Sequence, residues 1–145
     1  MEQFHFLLMQ TFYQTNRKMV ALCAAFDLYP GQPKILQTLY ERGSLTPKEI
    51  SKICCQDKST MTSLCYRMIE KGLVVKRASL EDRRSHQIEL TQKGKKLAEK
   101  VIEAGANVDR IALNEFSQEE VGELFRLLRK VQKNMEGKYD ESNND

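Results

Sequence analysis

The sequence predicts a mainly α-helical chain with one small β-hairpin (α+β), arranged as a winged helix-turn-helix core with long N- and C-terminal helices. Two observations support this fold class. A short helix with a strong start signal is followed, after a tight turn, by a helix with a polar outer face, which is the helix-turn-helix pattern. Directly after that second helix the spacing of apolar residues changes from about 3.6 to 2, which indicates a two-stranded hairpin, the wing.

The second helix of the pair is predicted to be capped by Asp57 and to end at Gly72, which tolerates the positive φ found after many helices. Apolar residues recur at helical spacing and predict one buried face: Met61, Leu64, Cys65, Met68 and Ile69. The opposite face carries mostly short hydrogen-bonding side chains, which suit base edges in a DNA major groove: Ser59, Thr60, Thr62, Ser63, Tyr66 and Arg67.

The predicted wing alternates apolar and polar residues, with Val75 on one side of its first strand and Ile88 and Leu90 on one side of its second. Charged residues at and beside its tip are predicted to contact DNA: Lys76, Arg77, Asp82, Arg83 and Arg84. An arginine on a protruding hairpin can enter a narrow A·T-rich minor groove. Asp82 can orient Arg84 through a charge-assisted hydrogen bond. The alternative is that this charge run at a loop tip is only solvated.

The first helix of the pair has the best start signal in the chain. Thr46 is predicted as its N-cap, Pro47 stands at its first position, and Glu49 can complete a capping box. The helix is expected to extend to about Cys54, with Ile50 and either Ile53 or Cys54 turned inward. Phosphate contacts are predicted at the starts of the two helices: Thr46, Lys48 and Lys58.

Helices are also predicted on both sides of this core. A long helix over 4–26 has a polar stretch at 14–18 that suggests a bend, and a second over 34–42 closes at Gly43. Its inward residues are predicted to be Ile35, Leu36, Leu39 and Tyr40. After the wing, Thr91 caps a helix that reaches about Leu113 and whose apolar stripe includes Ile111, and Ser117 with Glu120 forms a second capping box before a last helix.

The terminal helices carry more apolar surface than a small core can cover, which predicts a homodimer. The alternative is that they pack on one another within one chain. We therefore expect residues 1–28 and 92–137 to form a helical dimerisation region, residues 29–91 to form the DNA-binding region, and residues 138–145 to be a flexible acidic tail.

Charge is concentrated in one part of the chain. The net charge is only +3, but residues 58–96 contain ten basic and four acidic side chains. A positive field of this kind is typical of a surface that meets nucleic acid. With 41% hydrophobic and 30% charged residues, the 145-residue chain has the composition of an ordered globular protein.

Several classes of function are disfavoured. No basic leader is present, and the longest uncharged apolar stretch, residues 19–26, is far shorter than the ~20 residues of a membrane span, so we expect a cytoplasmic protein without membrane contact. The cysteines lack the C-x-x-C spacing of zinc sites: Cys23, Cys54, Cys55 and Cys65. We predict no metal, no cofactor and no catalytic residue.

Three segments resemble the MarR family of transcriptional regulators: LYPGQPKILQTL at 28–39, LTPKEISKICCQDKSTMTSLCYRMIEKGLV at 45–74, and DRRSHQIELTQKG at 82–94. The last contains the D-x-R and I-x-L-T-x-x-G pattern of that family's wing. One departure is in the turn between the two helices, where the family usually has a glycine and an apolar residue and this chain has Cys55 and Gln56.

The resemblance implies a homodimer on a pseudo-palindromic DNA operator, released by a small aromatic or lipophilic effector that binds between the dimer region and the DNA-binding region. It also implies that Arg84 reaches the minor groove, that Asp82 holds Arg84, and that the polar face of the second helix meets the major groove. Its residues would be Ser59, Thr60, Thr62, Ser63 and Arg67.

The leading hypothesis is therefore a DNA-binding regulator, most simply a repressor, without enzymatic activity. A regulator of the same fold that senses oxidants through a cysteine is the first alternative. A thiol-redox protein built on Cys54 and Cys55 is a second, although a reactive thiol needs exposure and a lowered pKa. A winged helix that binds only proteins is a third, but it leaves the cluster of basic wing residues unexplained.

Overall fold

The computed structural model describes residues 1–79, 81 and 85–136. Its elements, in chain order, are α1 (Phe4–Cys23), a 3-10 turn (Ala24–Phe26), α2 (Gln32–Arg42), α3 (Pro47–Ile53), α4 (Lys58–Glu70), β1 (Val74–Ala78), β2 (His86–Leu90), α5 (Gln92–Ala112) and α6 (Gln118–Glu136). The predicted fold class is confirmed: helices dominate, and β1 pairs with β2 in one antiparallel hairpin. The chain divides into two compact units after Val108, and the second unit is described from residue 109 to residue 136.

The core of the first unit lies under α2, α3, α4 and the hairpin. Side chains from all of these elements, and from the middle of α5, are almost completely buried: Ile35, Leu36, Ile50, Met61, Met68, Leu73, Ile88 and Val101. Burial on this scale is what holds short helices such as α3 in place, because an isolated helix of this length is unstable in water.

The ends of α3 and α4 form as the sequence predicts. Thr46 Oγ1 accepts a hydrogen bond from Glu49 N at 3.2 Å, and Glu49 Oε2 accepts one from Thr46 N at 3.2 Å. Asp57 caps α4, and Gly72 follows α4 with φ +71°. Gly72 N donates to Ile69 O and Leu73 N to Met68 O, so the helix ends in a Schellman motif.

The hairpin register decides which strand residues face the core. Val74 pairs with Leu90, so Val74, Ile88 and Leu90 share the buried face, whereas Val75 is only half-buried on the other. Leu45 adds a single bridge to Ile88, with Leu45 N and Ile88 N each donating to the other residue's carbonyl. The wing is therefore fixed to the core at its base.

The start of α5 lies against the end of α4. Thr91 N donates to Leu73 O at 3.0 Å, Thr91 Oγ1 donates to Gly72 O at 2.5 Å, and Gly94 N donates to Thr91 Oγ1 at 3.0 Å. A Cβ on Gly94 would lie 2.0 Å from Leu73 O. A glycine is needed here because the backbones approach too closely for any side chain.

Some predicted inward residues are exposed. Ile69, Tyr40 and Ile53 are 38%, 44% and 36% exposed, and Ile111 is exposed on α5. The apolar stripe on each of these helices is wider than the arc that the core covers. At the end of α3, Cys54 is buried in place of Ile53, with its Sγ 3.4 Å from Thr38 Oγ1. Helix α2 starts at Gln32, two residues earlier than predicted.

Helix α1 is uninterrupted through the polar stretch where a bend was expected. Thr15 Oγ1 donates to the carbonyl of Thr11 at 3.0 Å, within the helix. Cys23 is the one buried residue of α1. Large apolar side chains on it are exposed: Phe4, Phe6, Leu7, Leu8, Met9, Phe12, Tyr13, Val20 and Leu22.

The second unit contains the predicted capping box before its helix. Glu120 N donates to Ser117 Oγ at 3.1 Å, and Ser117 N donates to Glu120 Oε2 at 2.8 Å. No residue of α6 is buried in this structure, and Phe125, Leu127, Leu128 and Met135 are exposed. The predicted acidic tail lies outside the described residues. Within the described part of the chain, no helix has the length and apolarity needed to cross a membrane.

Candidate nucleic-acid interface

The turn between α3 and α4 sets the orientation of α4. Cys55 adopts a left-handed conformation with φ +54° in this turn. Gln56 N donates to Ser51 O at 3.0 Å, which ties the turn back to α3. Cys55 thus adopts a backbone conformation that only glycine adopts without strain. This conformation costs about 1 kcal/mol or more of folding free energy.

The predicted reading face of α4 exists as a single surface. Met61, Leu64, Cys65 and Met68 turn inward and are buried. The residues on the other side are exposed, with Thr60 half-buried at the edge: Ser59, Thr62, Ser63, Tyr66 and Arg67. Thr62 Oγ1 donates to Lys58 O at 2.9 Å, within the helix.

Asp57 is the centre of a hydrogen-bond network at the start of α4. Its Oδ1 accepts from Thr60 N at 2.7 Å and from Ser59 Oγ at 2.7 Å, and its Oδ2 accepts from Thr60 Oγ1 at 2.8 Å. The backbone hydrogen bond from Thr60 and the hydroxyls of Ser59 and Thr60 lower the pKa of Asp57 to about 2. Asp57 is therefore ionised at neutral pH.

Arg67 lies against an aromatic ring from another part of the chain. Its guanidinium carbon is 4.2 Å from the centroid of the Tyr29 ring, a cation–π distance. The loop that carries Tyr29 is held by Gln32, a fully buried residue whose Oε1 accepts from Tyr29 N at 2.9 Å. Gln32 Nε2 donates to Leu64 O of α4 at 3.5 Å. Gln32 thus connects the Tyr29 loop to the helix that carries Arg67.

A second cation lies beside the same ring. Lys71 Nζ is 5.6 Å from the Tyr29 centroid and 3.4 Å from Asp27 Oδ2, and it also donates to the backbone carbonyl of Asp27. Between Tyr29, Arg67 and Lys71 there is an open cleft of about 540 Å³. Its lining combines two tyrosine rings, two cations and the carboxylate of Glu70, with Ser63 beside them.

The structure separates the two basic residues of β1. Lys76 and Arg77 are neighbours in a strand, so their side chains leave opposite faces of the hairpin. Arg77 Nε forms an ion pair with Glu89 Oε2 at 2.7 Å, across the wing. Asp82, Arg83 and Arg84 lie outside the described residues. Of the predicted phosphate contacts, Lys48 and Lys58 are exposed, whereas Thr46 is half-buried and its hydroxyl caps α3.

Three of the four cysteines are buried, and Cys55 is exposed. Burial raises the pKa of the Cys23 thiol and of the Cys65 thiol, which disfavours the reactive thiolate at both sites. Cys54 also lies in the core, beside Thr38. Among the described residues, no group of histidine, cysteine and carboxylate side chains is placed to hold a metal ion.

Sequence reasoning missed the residues around Arg67. Tyr29 falls between the two helices predicted over 4–26 and 34–42, and Gln32 falls outside the second. Tyr29 and Arg67 are 38 positions apart in the chain, and no local pattern connects a loop aromatic to a distant arginine. The hydrogen-bond network around Asp57 extends a correctly predicted helix cap. The hydroxyl residues Ser59 and Thr60, two and three positions after Asp57, were the sequence signal that could have predicted this network.

The chain is similar to known proteins. The MarR family model matches residues 28–86. The HTH-type transcriptional regulator PecS of Dickeya dadantii (strain 3937) is 35% identical over 123 residues, which cover 83% of this chain and 74% of that protein. The chain belongs to the MarR family of transcriptional regulators.

Two further proteins are similar to this chain. The HTH-type transcriptional repressor IacR of Pseudomonas putida is 31% identical over 121 residues, covering 83% of this chain and 72% of that protein. A putative MarR family transcriptional regulator from Listeria monocytogenes, solved in complex with 26mer DNA, superposes with a TM-score of 0.91. It is 19% identical and covers 100% of this chain and 98% of that chain, which is a likeness of fold.

Proposed function

We propose that this MarR-family chain is a sequence-specific transcriptional repressor that binds a pseudo-palindromic DNA operator as a homodimer. The observation that carries the proposal is the exposed polar face of α4, which has Lys58 at its start and the Tyr29-supported Arg67 further along it. Hydroxyls and arginine are the side chains that read base edges, and lysine binds phosphates. The repressor named among its relatives supports the direction of regulation.

The first experiment is to recover genomic fragments bound by the purified protein and then measure binding to the selected site at several salt concentrations. Lys58→Ala should weaken binding to all sequences alike and reduce the slope of log K against log salt by about one. Arg67→Ala should cost about 1–3 kcal/mol and relax the preference at one base position. Lys100→Ala, which removes an exposed cation on α5, is the control and should leave the slope unchanged. Failure to select any defined site would reject sequence-specific binding.

The wing is the second part of the proposed DNA contact. Arg84→Ala should weaken binding more on an A·T-rich flank than on a G·C-rich flank, because a narrow minor groove attracts arginine most strongly. Asp82→Ala should have a smaller effect in the same direction, since it frees Arg84 without removing it. Equal affinity of the wild type and Arg84→Ala on both flanks would exclude the wing from recognition.

The homodimer is supported by two separate surfaces. Helix α1 exposes a series of large apolar side chains, and α6 exposes another. Apolar faces of this size usually mark association. We assign residues 1–28 and 92–137 to dimerisation and 29–91 to DNA binding. Light scattering at micromolar concentration should give the dimer mass, and Phe12→Asp should lower it while Gln10→Asp does not. A wild-type monomer would contradict the assignment.

Release by an effector is the least constrained part of the proposal and follows from the family resemblance. A small aromatic or lipophilic molecule should raise the melting temperature of the free protein and weaken its binding to the selected site. Benzoate and longer aromatic acids are suitable probes. If none of a panel of such molecules changes operator affinity, the effector part of the proposal fails while DNA binding remains.

Oxidant sensing is the second candidate for regulation, and the exposed thiol of Cys55 supports it. Cys55 lies in the turn that orients α4, so oxidation there would affect the proposed reading helix. If peroxide releases the operator from the wild type and not from Cys55→Ser, this alternative is correct. If Cys23→Ser alone prevents release, the sensor is the buried thiol of α1. Operator affinity that peroxide leaves unchanged excludes both.

A further inference from the structure

The first turn of α4 places two hydroxyl groups against one carboxylate. Ser59 and Thr60 occupy the second and third positions of the helix, within the N-terminal turn that contacts base edges in helix-turn-helix proteins. Ser59 Oγ lies 2.7 Å from one carboxylate oxygen of Asp57, and Thr60 Oγ1 lies 2.8 Å from the other. Both hydroxyls are therefore bonded to the same charged group.

The direction of these two hydrogen bonds is fixed by chemistry. An ionised carboxylate has no proton to give, so each hydroxyl must donate. A hydroxyl carries a single proton, and once Asp57 has accepted it the oxygen offers only lone pairs to any other partner. Ser59 on the exposed face of α4 and Thr60 at its half-buried edge therefore present acceptors, and no donors.

The bases of DNA differ in what they offer such an acceptor. In the major groove adenine and cytosine present an amino group, which donates, whereas guanine and thymine present carbonyl oxygens, which accept. An outward hydroxyl with no available proton can bond to the amino bases and repels the carbonyl bases. A hydroxyl with a free proton can bond to either kind.

We propose that Asp57 determines base specificity: by holding the protons of Ser59 and Thr60, it makes α4 select adenine or cytosine over guanine or thymine on the strand that these residues contact. This inference rests on the proposed function, in which α4 reads an operator. Asp57 acts through Ser59 and Thr60 and does not need to touch DNA.

The cap of α4 and this second role use different atoms of Asp57. The helix cap needs only Oδ1, which accepts from Thr60 N. Oδ2 instead accepts from a side chain, the Thr60 hydroxyl. Asparagine caps helices as well as aspartate does, so Asp57→Asn can keep Oδ1 in place. Its Nδ2 then replaces Oδ2 and donates to Thr60 Oγ1, which frees the threonine proton.

The experiment selects binding sites from a randomised DNA pool with the wild type, Asp57→Asn, Thr60→Val and the double variant. Thr60→Val lacks the hydroxyl, so the base position at which it loses its preference is the position that Thr60 reads. At that position Asp57→Asn should raise the ratio of guanine and thymine to adenine and cytosine by about fivefold or more, the effect of one hydrogen bond. The position read by Ser59 should keep its preference, since Oδ1 still accepts from Ser59.

Two comparisons separate this role from a general effect of charge or stability. Asp109→Asn removes the same charge from an exposed position on α5 and should leave every base preference as in the wild type. In the Thr60→Val background, Asp57→Asn should change no preference at the Thr60 position, because the freed proton no longer exists. A purely structural cap would lower affinity for all sites equally.

The possible results distinguish the two proposals. A wild type that selects no defined site refutes the proposed function, and the inference falls with it. A wild type that selects a site, together with an Asp57→Asn variant that selects the same bases at every position, overturns the role of Asp57 and leaves DNA reading intact. A Thr60→Val variant with unchanged preferences also overturns it, since Thr60 would then contact no base.

Discussion

The close approach of α5 to the end of α4 makes the stability of the fold sensitive to substitution of Gly94. In Gly94→Ala the new Cβ would lie 2.0 Å from Leu73 O and 3.2 Å from Leu90 Cδ2. Carbon and oxygen atoms that do not bond stay more than 3 Å apart, so one backbone must move by about 1 Å. The hydrogen bond from Thr91 N to Leu73 O, now 3.0 Å, lies in the path of that movement.

The expected cost follows from three contributions. Overpacking costs about 1–3 kcal/mol, and weakening the Thr91 hydrogen bond costs about 0.5–1.5 kcal/mol. The higher helix propensity of alanine offsets up to about 1 kcal/mol of this loss of stability. The net prediction for Gly94→Ala is therefore a loss of about 2 kcal/mol in the free energy of unfolding.

Gly105, in the same helix, provides a matched control. A Cβ there would meet its nearest atom, Met19 Cε, at 3.9 Å, which is an ordinary contact. Gly105→Ala should therefore stabilise the protein by about 0.5–1 kcal/mol. Urea unfolding of the three proteins at one protomer concentration measures both effects, because the concentration would set the apparent stability of the proposed dimer. If Gly94→Ala is as stable as the wild type, the packing argument is wrong.

Three other predictions concern α4 and its surroundings. Cys55→Gly should stabilise the fold by about 0.5 kcal/mol in urea unfolding, since glycine adopts φ +54° without strain but loses more entropy on folding; a loss of stability would contradict it. Asp57 has a pKa of about 2 in the folded chain against 3.8 in its ordinary state, so its stabilising effect is complete above pH 4 and is lost as pH falls towards 2. The stability gap between wild type and Asp57→Ala should therefore narrow over that range, and a constant gap would refute the role of the carboxylate charge. Tyr29→Leu should weaken operator binding by about 0.5–1 kcal/mol by removing the support under Arg67, whereas Tyr29→Phe should bind like the wild type.

Features coded by neighbouring residues were predictable from the sequence. The capping boxes at Thr46 and Ser117 and the cap at Asp57 each involve partners within three positions, so their residue types are visible in a short window. The change of apolar period at Gly72 located the hairpin for the same reason. The polar face of α4 was also predictable, because helical spacing alone decides which residues share a face.

Features that depend on which residues of other elements pack against a helix or strand were not predictable. Ile69 and Tyr40 fit the apolar period of their helices, yet the core does not reach them. The strand register turns Val74 and not Val75 inward, and the sequence does not fix that register, since a shift of one residue exchanges the two faces. Tyr29 lies under Arg67 from a distant part of the chain, and Glu89 pairs with Arg77 from a diagonal position on the other strand. No pattern within one element indicates either contact.

The buried amide of Gln32 gives α2 an influence on the orientation of Arg67. One end of this side chain holds the backbone of Tyr29, and the other holds the carbonyl of Leu64 on α4. Loss of one hydrogen-bond partner by a buried amide costs about 1–3 kcal/mol. The Tyr29 loop, α2 and α4 are therefore expected to move together. A rotation of α2 would carry the ring beneath Arg67 with it. A conformational change that begins in α2 is therefore directly coupled to Arg67 of α4.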